Sequence, residues 1–342
     1  MPSIEAKRVL IFKTPWEDFF KIFLPTLLAF ALFLFPGIYN SSVVVMLTIY
    51  FLDGGHIYST LLEQYADPIE RKKPYVWQLT LLAFAMNLVM ALFYEKYFFT
   101  YLFYFTVFHN MRQGLGLTFL YRGGEASMAK FVKCSYYFLT LMPFFLFHLK
   151  ERPIHQMEMG HFIINPLNLA QSHQLPALLP FYQYGLFLFI SGVIAIYAYL
   201  LLKKQTKGLF PMGLFALVYT FAFILSENEF QSYCVLIVSH AIPYFWLMEK
   251  RLVASHSSKA MRKFALIFLF LTFLVGALIN YSHQYRFDGF EGISFLMLAI
   301  AYTPLIVHFL FDGVIWSRDN ERFLTFIAPK KVPGDESLLE PF

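Results

Sequence analysis

Charged residues are scarce in this chain. Asp, Glu, Lys and Arg make up 14% of its 342 residues, where a water-soluble domain carries about 25%. That is too few to cover a water-facing surface, which argues against a soluble enzyme and a disordered chain. Cysteine is almost lacking as well. Cys134 and Cys234 both fall in apolar runs, with neither the number nor the spacing for a disulfide framework or a zinc site. No cleavable signal peptide is expected, because the first apolar run begins near Phe19 after a mixed-charge leader and lacks a small-residue cleavage site. What the chain has in excess is apolar surface: 58% of its residues are hydrophobic and 43 are phenylalanine. A transmembrane helix takes about 20 apolar residues, so ten would take about 200. The composition reads as an all-α, polytopic integral membrane helix bundle.

Apolar runs bounded by charge, Pro or Gly predict ten helices, near residues 19–39, 43–63, 76–94, 98–120, 131–149, 179–202, 209–226, 229–249, 264–281 and 292–316. They read as a single transmembrane domain over 1–342, with short tails at 1–18 and 317–342. Lys and Arg test this count. With a cytoplasmic N-terminus, the inner segments hold Lys7, Arg8, Lys13, Arg71, Lys72, Lys73, Arg122, Lys130, Lys203, Lys204, Lys207, Lys250, Arg251, Lys259, Arg262, Lys263, Arg318, Arg322, Lys330 and Lys331. The outer loops hold Lys96, Lys150, Arg152 and Arg286. Twenty against four, with Lys21 and Lys133 at helix ends and Arg112 within a span, accounts for all 27 basic residues. The positive-inside rule thus predicts both termini in the cytoplasm. It also explains the net charge of +5 without a nucleic-acid partner; the partner is the lipid bilayer. The longest outer connection, 150–178, carries His155, His161 and His173. It reads as an interfacial loop, with a lid or a metal-sampling role as alternatives.

Ionisable groups in hydrocarbon are costly and usually face a bundle interior. Four histidines fall well inside spans: His56, His109, His240 and His308. They occupy the second, fourth, eighth and tenth helices, all running outside to inside, at about 13, 11, 11 and 16 residues from the outer ends. At 1.5 Å per residue that spread is only about 8 Å. Asp53 precedes His56 by three residues, Asp312 follows His308 by four, and Arg112 and Gln113 follow His109 by three and four. Helical spacing places each on its histidine's face. A lone intramembrane histidine is more often a packing residue, and Gly54-Gly55 suits close helix packing. Four at one depth point to a shared site. His56, His109, His240 and His308 are the candidate metal ligands. Asp53, Asp312 and Gln113 are the candidates to orient them, and Arg112 to balance charge or hold a polar substrate group or an oxygen-derived anion.

Imidazoles without thiolates suit iron, copper or zinc. The His-x-x-His boxes of a membrane di-iron hydroxylase are missing. Four histidines would instead hold a single metal ion, iron foremost, or form two axial pairs for heme. A site at this depth suits redox chemistry on a hydrophobic small molecule that arrives through the bilayer. The short tails leave no room for a cofactor domain, so electrons would come from a redox partner or the substrate. The rival readings are a bis-histidine heme electron carrier, a metal-free transporter or proton channel, and a non-catalytic subunit.

At these residues the chain resembles a group of uncharacterised bacterial multi-pass membrane proteins. The shared segments read here Asp53 to His56, His109 to Gly114, Ser239-His240 with Tyr244-Phe245-Trp246, and His308 to Trp316, the last being His-Phe-Leu-Phe-Asp-Gly-Val-Ile-Trp. The third departs from the group's amide-rich His-Asn-Ile-Gln-Tyr, having His240-Ala241-Ile242-Pro243-Tyr244 instead. A looser similarity, of architecture alone, is to the Brp/Blh carotene dioxygenases. Together these resemblances imply the bacterial inner membrane and an iron-dependent oxygenase or related oxidoreductase.

Overall fold

The computed structural model describes residues 11–12, 14–32, 44, 46–66, 70–94, 97–122, 128–149, 157–159, 162–164, 178–226, 229–255, 267, 270–271, 274 and 295–315. Among them the chain is helical apart from one small hairpin. The helices are α1 (Pro15–Asp18), α2 (Leu24–Leu32), α3 (Gly55–Ala66), α4 (Pro74–Phe93), α5 (Phe98–Tyr121), α6 (Ala129–Leu149), α7 (Leu178–Leu202), α8 (Leu209–Thr220), α9 (Glu229–Ser255) and α10 (Phe295–Ile315). Three π-helical turns, Phe19–Phe23, Met46–Gly54 and Phe221–Leu225, interrupt the regular pattern. The hairpin pairs β1 (Met157–Met159) with β2 (Phe162–Ile164), antiparallel, inside the segment read as a loop. His155, His161 and His173 lie outside the described residues, as do the two tails from 1 to 10 and from 317 onward and most of the predicted helix at 264–281.

Among the described residues, four helices are long and apolar enough to cross a membrane: Pro74–Phe93, Ala129–Leu149, Leu179–Leu202 and Leu298–Ile315. α5 and α9 are as long, but polar residues such as His109, Arg112, Gln231 and His240 dilute their hydropathy. The exposed surface fits a lipid solvent. Along α7, Phe181, Tyr184, Phe187, Leu188, Ile194 and Leu202 all face outward, an apolar patch that water would not tolerate.

The chain divides into two compact units, Met1–Tyr39 with Thr106–His240, and Asn40–Phe105 with Ala241–Phe342. Two of the three divisions, at 105/106 and 240/241, fall inside continuous helices, α5 and α9. In the first unit α6 packs against α7 and α8. Tightness comes from small residues: Gly185 abuts Leu146 and Gly192 abuts Phe138. Thr14 caps α1: its Oγ1 accepts from the Glu17 N–H at 3.1 Å. Buried Asp18 then accepts from the Ile11 and Phe12 N–H groups at 3.1 and 2.7 Å. Helix therefore starts at Pro15, four residues before the apolar run. Arg122 is buried rather than a free loop charge. Its guanidinium donates to Lys207 O at 3.4 Å and Gln205 Oε1 at 3.3 Å, tying the end of α5 to the α7–α8 turn.

In the second unit α10 packs against α4 and α3. α4 offers Ala83, Asn87 and Ala91, all fully buried at four-residue intervals, so its backbone permits close approach.

The burial pattern gives a direct test. Phe187 is 73% exposed and Phe189 only 5%. Lipid removes the transfer term from burial, leaving dispersion and cavity terms. Phe189→Ala is expected to cost about 2 kcal/mol on that basis, and Phe187→Ala to stay within about 0.5 kcal/mol. Thermal unfolding in detergent micelles checks both.

Candidate metal centre

Two of the histidines stand on α3 and α10. His56 is the second residue of α3, directly after the π-helical segment Met46–Gly54 and the buried pair Gly54-Gly55. His308 sits in the middle of α10. Their rings meet edge to face, centroids 4.3 Å apart. Tyr244, from α9, is packed edge-on to both, 4.3 Å from His56 and 5.8 Å from His308. Its hydroxyl donates to Asp312 Oδ1 at 2.9 Å and shares a 2.5 Å hydrogen bond with Thr60 Oγ1. Asp312, one turn beyond His308, places Oδ2 3.8 Å from His308 Nε2.

The other pair stands on α5 and α9. His109 and His240 meet edge to face at 5.1 Å. Pro243 follows His240 by three residues and has no N–H, so the Ser239 carbonyl beside His240 lacks its intrahelical donor. All four imidazoles are buried, and one ring nitrogen from each lies within 4.8 Å of the others. Donors on opposite sides of a metal ion lie about 4.2 Å apart when each bond is about 2.1 Å. The observed spread is within about 0.6 Å of a coordinating set. Four neutral imidazole lone pairs with a carboxylate alongside suit iron, copper or zinc.

The flanking candidates behave differently from one another. Asp312 is buried beside His308. Gln113 and Asp53 are half-buried. Asp53 is the penultimate residue of the π-helical stretch, whose hydrogen bonds run i→i+5. Its turn is wider than an α-turn, so the three-residue spacing to His56 no longer implies a common face. Arg112 is exposed, and the structure does not bring it into the histidine cluster. It belongs to an outward stripe with Phe108 and Gly116, spaced by four, whereas His109, Asn110 and Met111 turn inward. A residue at i+3 is rotated by about 60° from its histidine, here far enough to change faces.

Reading charge alone misses two contacts. Thr60 and Tyr244 follow His56 and His240 by four residues, as Gln113 follows His109 and Asp312 follows His308. A polar residue stands one turn beyond each histidine, and three of the four join in one hydrogen-bonded chain. Extending the i+4 rule from carboxylates to hydroxyls finds them. No family model, no curated protein and no solved structure matches this chain.

Proposed function

We propose that this protein is a membrane-embedded, histidine-ligated metalloenzyme, an iron-dependent oxygenase or related oxidoreductase acting on a hydrophobic small molecule. The convergence of four buried imidazoles, His56, His109, His240 and His308, within 4.8 Å carries this reading. A single iron held there would supply oxygen activation or one-electron chemistry. Convergence on one point favours one ion over two axial heme pairs, since porphyrins would hold such pairs apart.

The chain's own residues do the rest. Asp312, facing His308 Nε2, favours the tautomer that carries its proton on Nε2 and leaves Nδ1 as the donor to the metal. Gln113 and Asp53 would orient His109 and His56. Arg112, on the outward stripe, would meet a polar substrate group arriving from the bilayer. Ten spans with both ends in the cytoplasm, and the bacterial inner membrane as location, are part of the same proposal and rest on the Lys and Arg distribution. Electrons would come from a redox partner or the substrate.

Metal analysis and an absorption spectrum on detergent-purified protein test it. About one iron per chain without an intense Soret band is expected. Protein purified without stoichiometric metal, and unable to take it up, overturns it.

A further inference from the structure

A second line of polar side chains leaves the histidines and runs through the second unit to water. It begins at Asp312 and Tyr244, whose hydroxyl is hydrogen-bonded to Thr60 Oγ1. Thr60 and Gln64 are both fully buried on α3, four residues apart, so their side chains are neighbours about 6 Å apart on one face. The Tyr75 hydroxyl donates to Glu70 Oε2 at 2.6 Å and stands 3.5 Å from Gln64 Oε1, the alternative acceptor for its one proton. Glu70 is itself buried, while Lys73, 2.9 Å from its Oε1, has a side chain 41% exposed. A buried carboxylate is stable here because an ammonium group and a phenol satisfy it.

The line has one break, between Gln64 and Thr60. At that break Gln64 Nε2 is buried with no hydrogen-bond partner among the described residues. An unsatisfied buried amide N–H costs about 1–3 kcal/mol, and a single bridging water would remove that cost. It would accept from Gln64 Nε2 and reach Thr60 Oγ1.

We propose that Lys73–Glu70, Tyr75, Gln64 and Thr60 form a proton path from the aqueous surface to Tyr244 and the histidine cluster. A proton entering at Glu70 would pass to the Tyr75 hydroxyl, which hands its own to Gln64 Oε1. Gln64 Nε2 would give one up to the bridging water, and the amide re-forms by the reverse tautomerisation once the proton has passed. The water held by Gln64 and the Thr60 hydroxyl would repeat the exchange, and Tyr244 would receive a proton as it passes one on. No group changes oxidation state, and each hydroxyl ends with one proton. This rests on the proposed chemistry in one respect: reactions that reduce oxygen consume protons, and a site enclosed in hydrocarbon has no water to supply them.

The experiment measures solvent exchange of the His308 ring N–H in metal-free protein, by nitrogen-15 histidine NMR, alongside metal content after loading with iron. Gln64→Leu is expected to slow exchange at least tenfold while iron content stays at the wild-type level. Tyr75→Phe, at the half-buried end, should slow it similarly and serves if Gln64→Leu does not fold. Gln64→Glu should restore exchange. Exchange as fast as wild type in both Gln64→Leu and Tyr75→Phe overturns the path. Slowed exchange in these variants of a chain that takes up no iron even as wild type supports the path and overturns the metal reading instead.

Discussion

Replacing His308 with alanine is expected to lower metal affinity by about 1,000-fold, or about 4 kcal/mol. His308 is fully buried, touches His56 and stands beside the Asp312 carboxylate. Its loss removes a donor and also strips Asp312 of the imidazole it faces. Asp312→Asn should cost less, about 10–100-fold, because it changes the orientation of His308 without removing it. Chelator-competition titration of purified protein reads both, with size-exclusion profile and circular dichroism reporting retained fold. Stoichiometric metal bound at wild-type affinity in His308→Ala would show that the four imidazoles are a packing cluster. Their burial would then need another explanation.

The second large effect is one of shape. Gly114 lies on the inward face of α5, and a Cβ there would collide with Tyr136 Oη, with Phe215 Cδ1 at 2.8 Å and with Phe215 Cε1 at 2.9 Å. Tyr136 is fully buried and cannot swing into solvent. Overpacking of this kind costs about 3 kcal/mol, so Gly114→Ala should lower Tm by several degrees in detergent. Tyr136→Phe should be neutral or slightly stabilising, because its buried hydroxyl has no hydrogen-bond partner among the described residues. In the double variant the collision with Oη disappears while that with Phe215 remains. A coupling of about 1 kcal/mol or more is therefore expected from the cycle. Additive effects would mean that Tyr136 relaxes freely and does not confine Gly114.

Much of the architecture is legible from hydropathy alone, because spans such as α4, α6 and α7 are nearly uniform in composition and end at charge or proline. The four histidines are legible for a related reason. In an apolar helix a polar residue is rare enough to be read individually. Where the reading falls short, local geometry departs from the ideal α-helix. A 3.6-residue period puts Asp53 on the face of His56, but the turn that holds it is π-helical. A spacing of three puts Arg112 with His109, although its stripe mates Phe108 and Gly116 mark it as outward. Charge also draws attention away from hydroxyls. Thr60 and Tyr244 carry no charge, yet they connect directly to Asp312 or to one another. Glu70, distant in sequence from every histidine, enters only through the packing of Tyr75 and Gln64.

The π-helical stretch before His56 has a consequence for how this site tolerates change. A π-turn holds one residue more than an α-turn, so it works as slack in the chain. Gaining or losing a residue within Met46–Gly54 would turn everything ahead of it by about 100°, while α3, packed in its unit, keeps His56 in place. The segment separates the register of Asp53 from that of His56. A change of length within the segment re-aims the carboxylate without moving the imidazole.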